Sequence, residues 1–237
     1  MEGQATWLTW AYVSKRNGGK AEVSKEMIEK LTDNSSAGSS DFPVFAKEPL
    51  YLRETLVFPY DEGMKFQEAV YRKLGRKSFD EVFIRPPRST QQILHPKAYI
   101  DNEKPEDPDA PTLDKSVLKQ FRVINDGSVG ELDHSMLLRQ FVPEKEGREA
   151  ASHWRGGAFR LYENKRDKHP VLTYVVDTDS PEAASTYLAM YRQVLKGKWK
   201  HLDIAAQTPA ELSGTGDDGK FLIRLLGTSV QCIEGMP

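Results

Sequence analysis

Residues 85–99 read Arg85-Pro86-Pro87-Arg88-Ser89-Thr90-Gln91-Gln92-Ile93-Leu94-His95-Pro96-Lys97-Ala98-Tyr99. The two adjacent prolines hold the backbone extended and exclude helix at Arg85. Ser89 and Gln92 have the spacing of a capping box, in which the serine hydroxyl accepts from the N3 amide and the glutamine side chain reaches back to the cap amide. Pro96 stops that helix after little more than one turn, so His95 is predicted to lie at the end of a short helix.

Two interpretations of this corner stay open from its residues alone. It is either a structural corner, with Ile93 and Tyr99 in a core and His95 bonded to a nearby carbonyl, or part of a cleft that presents His95 to a ligand. A single histidine is a weak functional marker, because structural interactions also perturb such groups. The choice therefore depends on the rest of the chain.

The composition excludes several classes of protein. The chain has 237 residues, a net charge of −2 and 29% charged residues, so it lacks the basic field that captures nucleic acid or an anionic membrane. No apolar run approaches the roughly 20 residues of a membrane span, and no basic-then-apolar targeting signal opens the chain as given. Cys232 is the one cysteine, which excludes an internal disulfide and a zinc–cysteine cluster.

The first hundred residues are predicted to be a compact set of helices. Residues 2–16 form an apolar helix in which Trp7 and Trp10 widen the stripe of Ala5, Leu8 and Tyr12 almost all round. Either its natural neighbours lie upstream of the sequence supplied, or downstream helices wrap it completely; exposed Trp7 and Trp10 would favour a partner that covers it. Further helices are predicted near Met27 to Leu31, over 50–58 up to Pro59, and over 61–74. A second capping box, Ser78 to Glu81, predicts the start of a short helix that buries Phe79, Val82 and Phe83. Asn34 to Ser40 is predicted to be a polar loop.

Residues 101–112 contain five acids, one lysine and three prolines and are predicted to be a solvated linker. Beyond the linker, Ser180-Pro181-Glu182 predicts a helix start. Other helices are predicted over 131–141 and 148–154, strands at 118–124, 158–163, 171–177, 199–205, 221–226 and 229–233, and a turn at 213–219. The predicted fold is α+β: a helical lobe (1–100), a linker (101–112) and a small α+β domain (113–237) with an antiparallel or mixed sheet.

The sequence contains no complete catalytic motif. No two of its five histidines (His95, His134, His153, His169 and His201) stand three or four apart, as a helical metal pair requires. It also has no Gly-x-Ser-x-Gly elbow and no glycine-rich phosphate loop. A hydrolase complete within this chain is therefore disfavoured.

Three runs carry a likeness to a known family. They are Glu2-Gly3-x-Ala5-Thr6; Phe58-Pro59-Tyr60 with Gly63, Phe66 and Val70; and Pro86-Pro87-x-Ser89-Thr90-x-Gln92-Ile93-Leu94-His95-Pro96-x-x-Tyr99. Together they resemble the downstream half of a family of bacterial zinc-metallopeptidase-like (zincin) proteins, whose third run typically reads Pro-Pro-x-Ser-Thr-Glu-Gln-Ile-Leu-His-Pro. A fainter likeness continues in Ala150-Ala151-x-x-Trp154-x-Gly156 and in Phe159 to Tyr162.

The resemblance implies a gluzincin-like zinc site. In such proteins an upstream His-Glu-x-x-His helix supplies two zinc ligands and a general base, and a later glutamate, matched here by Glu2, supplies the third ligand. The two-histidine helix has no counterpart in this sequence, so zinc is expected in the complete family protein and not on this chain alone. The resemblance also implies that the 89–99 run lies near the cleft. His95 and Tyr99 are then candidates to bond a substrate carbonyl or oxyanion, and Ser89 and Gln92 to bind substrate.

Two functions of different classes follow from this reading. The chain is either the downstream portion of a zinc metallopeptidase, inactive without the missing histidines and base, or a non-enzymatic module that binds a peptide or a partner protein. A structural protein with a vestigial cleft is a third reading. The expected partners are a peptide, a protein or a second copy, and not nucleic acid. An exported location would follow if the complete precursor carries a signal peptide.

Overall fold

The structure is a computed structural model that describes residues 1–24, 26–30 and 44–237. The described chain divides into two compact units, Met1–Lys104 and Pro105–Pro237. The first unit is helical, and the second contains a seven-stranded antiparallel sheet with helices, so the predicted α+β class is confirmed. The division falls inside the predicted linker. The predicted loop at Asn34 to Ser40 and the predicted helical residue Leu31 lie outside the described residues.

The helical unit contains one long helix with shorter ones around it. Its elements are α1 (Glu2–Arg16), α2 (26–30), α3 (Leu50–Leu74), α4 (Ser78–Ile84), α5 (Thr90–Leu94) and α6 (Pro96–Ile100). The predicted break at Pro59 is wrong, because α3 runs through it. An internal proline costs about 3 kcal/mol. The buried residues Met64, Phe66 and Val70 on the same helix offset that cost.

The buried face of α1 differs from the predicted stripe. Gly3, Trp7 and Ala11 are buried, whereas Leu8 and Tyr12 are exposed. Residues four apart lie above one another on a helix, so the buried set forms one continuous side. The stripe predicted from hydrophobicity is therefore the outer face, because packing selects the side with the small glycine.

The expectation of exposed tryptophans on α1 is wrong. Trp7 is only 2% exposed, and its ring centroid lies 4.6 Å from that of Tyr71 and 5.4 Å from that of Phe79. Trp10 is half-buried against the same cluster. The Trp7 indole Nε1 donates to Glu68 Oε2 at 2.6 Å, so its polar end is satisfied as well. Downstream residues of α3 and α4 therefore cover the Trp7 side of α1.

Helices α1 and α3 meet at a pair of glycines. A Cβ added to Gly3 would lie 2.0 Å from the carbonyl carbon of Gly63, and a Cβ on Gly63 would lie 3.1 Å from the Cα of Gly3. Such distances leave no room for a side chain at Gly3. This close approach fixes the first turn of α1 against the middle of α3.

The second unit is organised around the antiparallel sheet, whose strand order is β1-β2-β3-β7-β6-β5-β4. Its strands are β1 (Phe121–Ser128), β2 (Trp154–Asn164), β3 (Pro170–Thr178), β4 (Leu202–Gln207), β5 (Glu211–Gly216), β6 (Gly219–Leu226) and β7 (Ser229–Met236). Its helices are α7 (Lys115–Leu118), α8 (Glu131–Arg139), α9 (Glu144–Ser152) and α10 (Pro181–Lys198). The predicted pairing of the strands near 158–163 and 171–177 is confirmed as β2 with β3.

Helix α10 covers one face of the sheet. Ser180 caps it as predicted, with its hydroxyl accepting from the Ala183 amide at 3.2 Å. The predicted apolar stripe is buried in the main core, where it meets strand residues such as Ile223 and Val230. The stripe consists of Tyr187, Leu188, Tyr191 and Leu195.

Part of the predicted solvated linker packs onto the second unit. The Glu106 amide donates to the Arg155 carbonyl at 2.8 Å, and Ala110 is 4% exposed. A Cβ on Gly156 would lie 2.6 Å from the Glu106 carbonyl oxygen, so glycine is what admits the chain there. Composition correctly indicates polarity in this stretch, but it does not reveal a backbone that docks on a strand.

The predicted turn at 213–219 is mostly strand. It contains most of β5 and the start of β6, and only Asp217 and Asp218 lie between them. The Ser/Gly composition suggested a turn. Gly214 instead sits where a Cβ would lie 2.0 Å from the Asp203 carbonyl oxygen of β4, so here glycine allows two strands to approach.

The glycine contact predicts the effect of a single substitution. Gly3→Ala should lower the free energy of unfolding of the helical unit by about 1–3 kcal/mol, because the new methyl forces the helices apart. Alanine gains about 1 kcal/mol in helix propensity, which reduces the loss without reversing it. Thermal unfolding followed by far-UV circular dichroism measures the change. Thr9→Ala, on the exposed face of the same helix, is the matched control, and a Gly3→Ala protein as stable as the wild type would contradict this packing.

Candidate functional site

A cleft of about 500 Å³ opens in the helical unit. This volume lies within the range of sites that bind small molecules or side chains. Parts of four helices and the Pro86-Pro87 segment form its walls. The lining residues are Met1, Glu2, Gly3, Gln4, Phe58, Pro59, Gly63, Phe66, Gln67, Val82, Phe83, Pro86, Pro87 and Ile93.

The walls of the cleft are mostly apolar, with few polar side chains. Glu2 is the one ionisable side chain among the lining residues, and it is exposed. Gln67 is 2% exposed and donates from Nε2 to the Ser78 hydroxyl at 3.2 Å. Gln4 donates from Nε2 to the Phe79 carbonyl at 3.1 Å. These bonds hold both amide groups in place, so the polar groups of the cleft are pre-organised.

The bond between Gln67 and Ser78 also corrects a prediction. Ser78 was expected to cap a helix together with Glu81, but α4 begins at Ser78 itself and its cap residue, Lys77, makes no side-chain cap bond. Ser78 is fully buried and serves as the acceptor for Gln67. Glu81 instead pairs with Arg85. Burial next to α3 therefore outweighs the local capping pattern.

The predicted cap at the corner is present, but Ser89 and Gln92 are used internally. The Ser89 hydroxyl accepts from the Gln92 amide at 3.3 Å, as the capping box requires. The Gln92 Oε1 accepts from the Arg88 amide at 2.7 Å rather than from the cap amide, and its Nε2 donates to the Glu103 carbonyl at 2.6 Å. Gln92 is 3% exposed, and neither residue lines the cleft. Their bonds favour a structural role over the predicted substrate-binding role.

Tyr99 lies in the core of the helical unit. Its hydroxyl donates to the Arg85 carbonyl at 2.7 Å, and Arg85 Nη1 donates back to the Tyr99 carbonyl at 2.8 Å. The Arg85 guanidinium lies 4.2 Å from the ring centroid, and the Phe66 ring meets the Tyr99 ring edge-on at 4.9 Å. Burial raises the pKa of Tyr99 above its ordinary value, against the opposing effect of Arg85. A phenol with no exposed surface is not available to a substrate.

His95 is exposed at the junction of α5 and α6. It ends α5, as predicted, and its backbone amide donates to the Gln91 carbonyl at 2.7 Å. It does not line the cleft. Of the predicted site residues, the structure therefore brings Glu2 into the cleft and leaves the four residues of the corner outside it. The catalytic role of His95 stays a prediction.

Sequence reasoning missed the apolar wall of the cleft. Phe83 was predicted to be buried, yet its side chain is 56% exposed and lines the cleft beside Pro86 and Pro87. An aromatic residue just before two prolines, at the end of a short helix, was the available signal. The expected metal ligand also stands alone, because the structure, within the residues it describes, contains no group of three acidic, histidine or cysteine side chains that could hold a metal ion.

The second unit contains a polar cluster inside its core. Glu234 on β7 accepts from the Tyr191 hydroxyl, from Lys198 and, at 3.4 Å, from the Cys232 thiol. Burial, reinforced by the nearby carboxylate, raises the pKa of Tyr191 and of Cys232 well above the ordinary values. The cluster thus holds its phenol and thiol protonated, and it joins α10 to the central strand β7.

His134 is a second buried polar group in this unit. It is 4% exposed, its Nδ1 lies 3.4 Å from the Tyr187 hydroxyl, and its Nε2 has no hydrogen-bond partner in the part of the chain that the structure describes. Burial lowers the pKa of His134 to about 4. The ring is therefore neutral in the folded protein at neutral pH.

Comparison with known proteins gives one match. Residues 119–237 match the family described as Domain of unknown function (DUF8575). No curated protein and no solved structure matches the chain. Among the helices in the described residues, none is both long and apolar enough to cross a membrane.

The burial of His134 predicts a loss of stability in acid. Its pKa is about 4 in the folded state and about 6.5 when unfolded, so the unfolded state binds the proton first. The contribution is fully present above about pH 6.5 and falls as the pH drops toward 4, by up to about 3 kcal/mol. His134→Gln should flatten this dependence in urea unfolding curves. His95→Gln, at an exposed site in the other unit, is the control, and an unchanged slope in His134→Gln would refute the assignment.

Proposed function

The chain belongs to the family described as Domain of unknown function (DUF8575), and we propose a function from the cleft of its first unit, Met1–Lys104, which lies outside the matched residues 119–237. We infer that the cleft in this unit binds peptides and is of the type found in zinc metallopeptidases. In this chain the cleft binds and orients an extended peptide. Hydrolysis requires a complete zinc site, and the sequence given does not contain all of the ligands of such a site.

The convergence of three distant runs supports this proposal. The runs that carry the resemblance span residues 2–6, 58–70 and 86–99, and each contributes lining residues to the same cleft. Those shared residues are Glu2, Gly3, Phe58, Pro59, Gly63, Phe66, Pro86, Pro87 and Ile93. A likeness that consisted of unrelated fragments would have no reason to line one site.

The chemistry of the walls suits a peptide side chain. Burying a large apolar side chain against such walls is worth about 1.5–3 kcal/mol. Phe83, which is more than half exposed, offers an aromatic surface, and the prolines beside it are rigid. Rigid walls lower the ordering cost of binding, which favours recognition of short segments.

Zinc enters the proposal only when the site is completed. Bound in a zincin site, zinc lowers the pKa of a coordinated water and so supplies the nucleophile. Within the described ranges Glu2 is the single candidate ligand at the cleft, and one carboxylate does not fit a zinc ion that requires three protein ligands. No hydrolytic step is therefore assigned to the residues of this chain.

A pair of labelled peptides tests the binding function. We expect a nonapeptide with one central phenylalanine among glycines and serines to bind more tightly than the same peptide with glycine at that position, by about tenfold, because one phenyl ring is buried. Fluorescence anisotropy measures both affinities. Phe83→Ala should weaken binding of the phenylalanine peptide by about tenfold, because it removes part of the wall.

Ile84→Ala is the matched control for this experiment. Ile84 follows Phe83 in the chain and is 78% exposed, but it does not line the cleft, so its loss should leave affinity within about twofold of the wild type. Equal binding of the two peptides, or equal effects of the two substitutions, would contradict the proposal. Stoichiometric zinc after dialysis, lost in Glu2→Gln but retained in Glu22→Gln, would instead indicate a complete metal site.

A further inference from the structure

Gln67 is a buried side chain whose amide group is bonded at one end only. It is 2% exposed, and its Nε2 donates to the Ser78 hydroxyl at 3.2 Å. Its Oε1 makes no hydrogen bond with any residue that the structure describes. Gln92, which is buried to a similar degree, uses both ends of its amide, accepting from Arg88 and donating to Glu103. Gln67 therefore carries an acceptor that the protein itself does not use.

The unused oxygen of Gln67 belongs to the wall of the cleft. Within the described part of the chain, Oε1 is not one of the fully enclosed polar atoms that lack a partner, so it keeps some accessible surface. Gln67 lines the cleft, whereas Ser78, which holds the nitrogen of the amide, does not. The amide group is planar, with its oxygen and its nitrogen on opposite sides of one carbon, so the bond to Ser78 also fixes where the oxygen points.

A ligand that fills the cleft must supply a hydrogen-bond donor to this oxygen. In the open cleft, solvent can satisfy Oε1. A bound ligand excludes that solvent, and an acceptor left unpaired in a mostly apolar site costs more than its hydrogen bond contributes. An extended peptide carries an N–H donor on every residue except proline, so its main chain provides the group that the cleft requires.

We propose that Gln67 binds the main chain of the peptide, with one backbone N–H of the peptide donating to Gln67 Oε1. The bond orients the peptide without reading its side chains, and the apolar walls select the side chain that enters the cleft. It also makes the cleft reject proline at the one position whose N–H is bonded. This inference rests on the proposed peptide-binding function and adds the residue that orients the peptide.

Replacing the N–H groups of the peptide one at a time tests this bond. In the nonapeptide with a central phenylalanine, each backbone amide is exchanged in turn for an ester, which removes the N–H and keeps the extended shape of the chain. On the wild-type protein, the ester at one position should weaken binding by about tenfold in fluorescence anisotropy, because Oε1 is then covered without a donor. Proline at that position should weaken binding at least as much, and esters far from it should stay within about twofold of the parent peptide.

The double variant Gln67→Met/Ser78→Ala assigns the effect to Gln67. It removes both partners of the internal hydrogen bond, so neither is left unpaired in the core, and Ser78 does not line the cleft. In this variant the sensitive ester and the parent peptide should bind within about twofold of each other. Gln140→Met, the same chemical change at an exposed site in the second unit, should keep the difference of about tenfold.

The outcomes separate the role of Gln67 from the function on which it rests. If no ester weakens binding to the wild-type protein, or if the loss is the same in Gln67→Met/Ser78→Ala, the role of Gln67 is overturned and the peptide cleft is left standing. The scan on the wild-type protein decides the point even where the double variant does not fold. Failure of the parent nonapeptide to bind overturns the proposed function as well.

Discussion

The contact between the backbones of Gly3 and Gly63 is the constraint on which the helical unit depends. Only glycine allows α1 to approach α3 so closely that a Cβ would collide with a carbonyl carbon. With the helices at this distance, Trp7 reaches Glu68, which also accepts from Arg72 Nε at 2.6 Å. The same contact brings the first turn of α1, and Glu2 with it, to the edge of the cleft. The packing of α1 on α3 and the position of Glu2 at the cleft therefore both depend on this glycine contact.

The second unit is held together by a different kind of interaction. Its sheet and α10 enclose a large apolar core, and the Glu234 cluster ties α10 to β7 from within that core. Removing one member would leave a buried polar group unpaired, which costs more than the pair contributes. Both edge strands carry a bulge, between Val123 and Asn125 in β1 and between Ile204 and Ala206 in β4. Bulged edges discourage pairing with other chains.

Local signals in the sequence were enough to predict much of the fold. The cap at Ser180, the stripe on α10 and the β2–β3 pair each follow from short-range patterns that the core then buries. The errors arise where distant contacts decide. Pro59 is tolerated because of packing along α3, β5 is a strand because Gly214 lets β4 approach, and the true face of α1 is selected by Gly63. Those contacts join residues that are far apart in the sequence, so no short stretch of sequence contains them.

In the candidate site, too, local sequence patterns predict some features and distant contacts decide the others. The corner at 85–99 was read correctly as a capped, proline-bounded turn, but its polar residues are used to hold that turn, as with Tyr99 and Gln92. The cleft next to it is lined by residues spread from 1 to 93, so no single run contains it. No local pattern marks Glu2, and only the resemblance to a peptidase family indicates a role for it. The sequence signal for Phe83 is an aromatic residue at the end of a short helix before two prolines, and its 56% exposure adds that it faces the cleft rather than the core.

The claim that this cleft is the peptide site is tested most directly by amide chemical shifts. The nitrogen-15-labelled chain would be titrated with the unlabelled nonapeptide that has a central phenylalanine. The account predicts shift changes concentrated at Glu2 to Gln4, Val82 to Phe83 and Ile93, with the amides of α8 and α10 unmoved. Changes confined to the second unit, or none at saturating peptide, would contradict it.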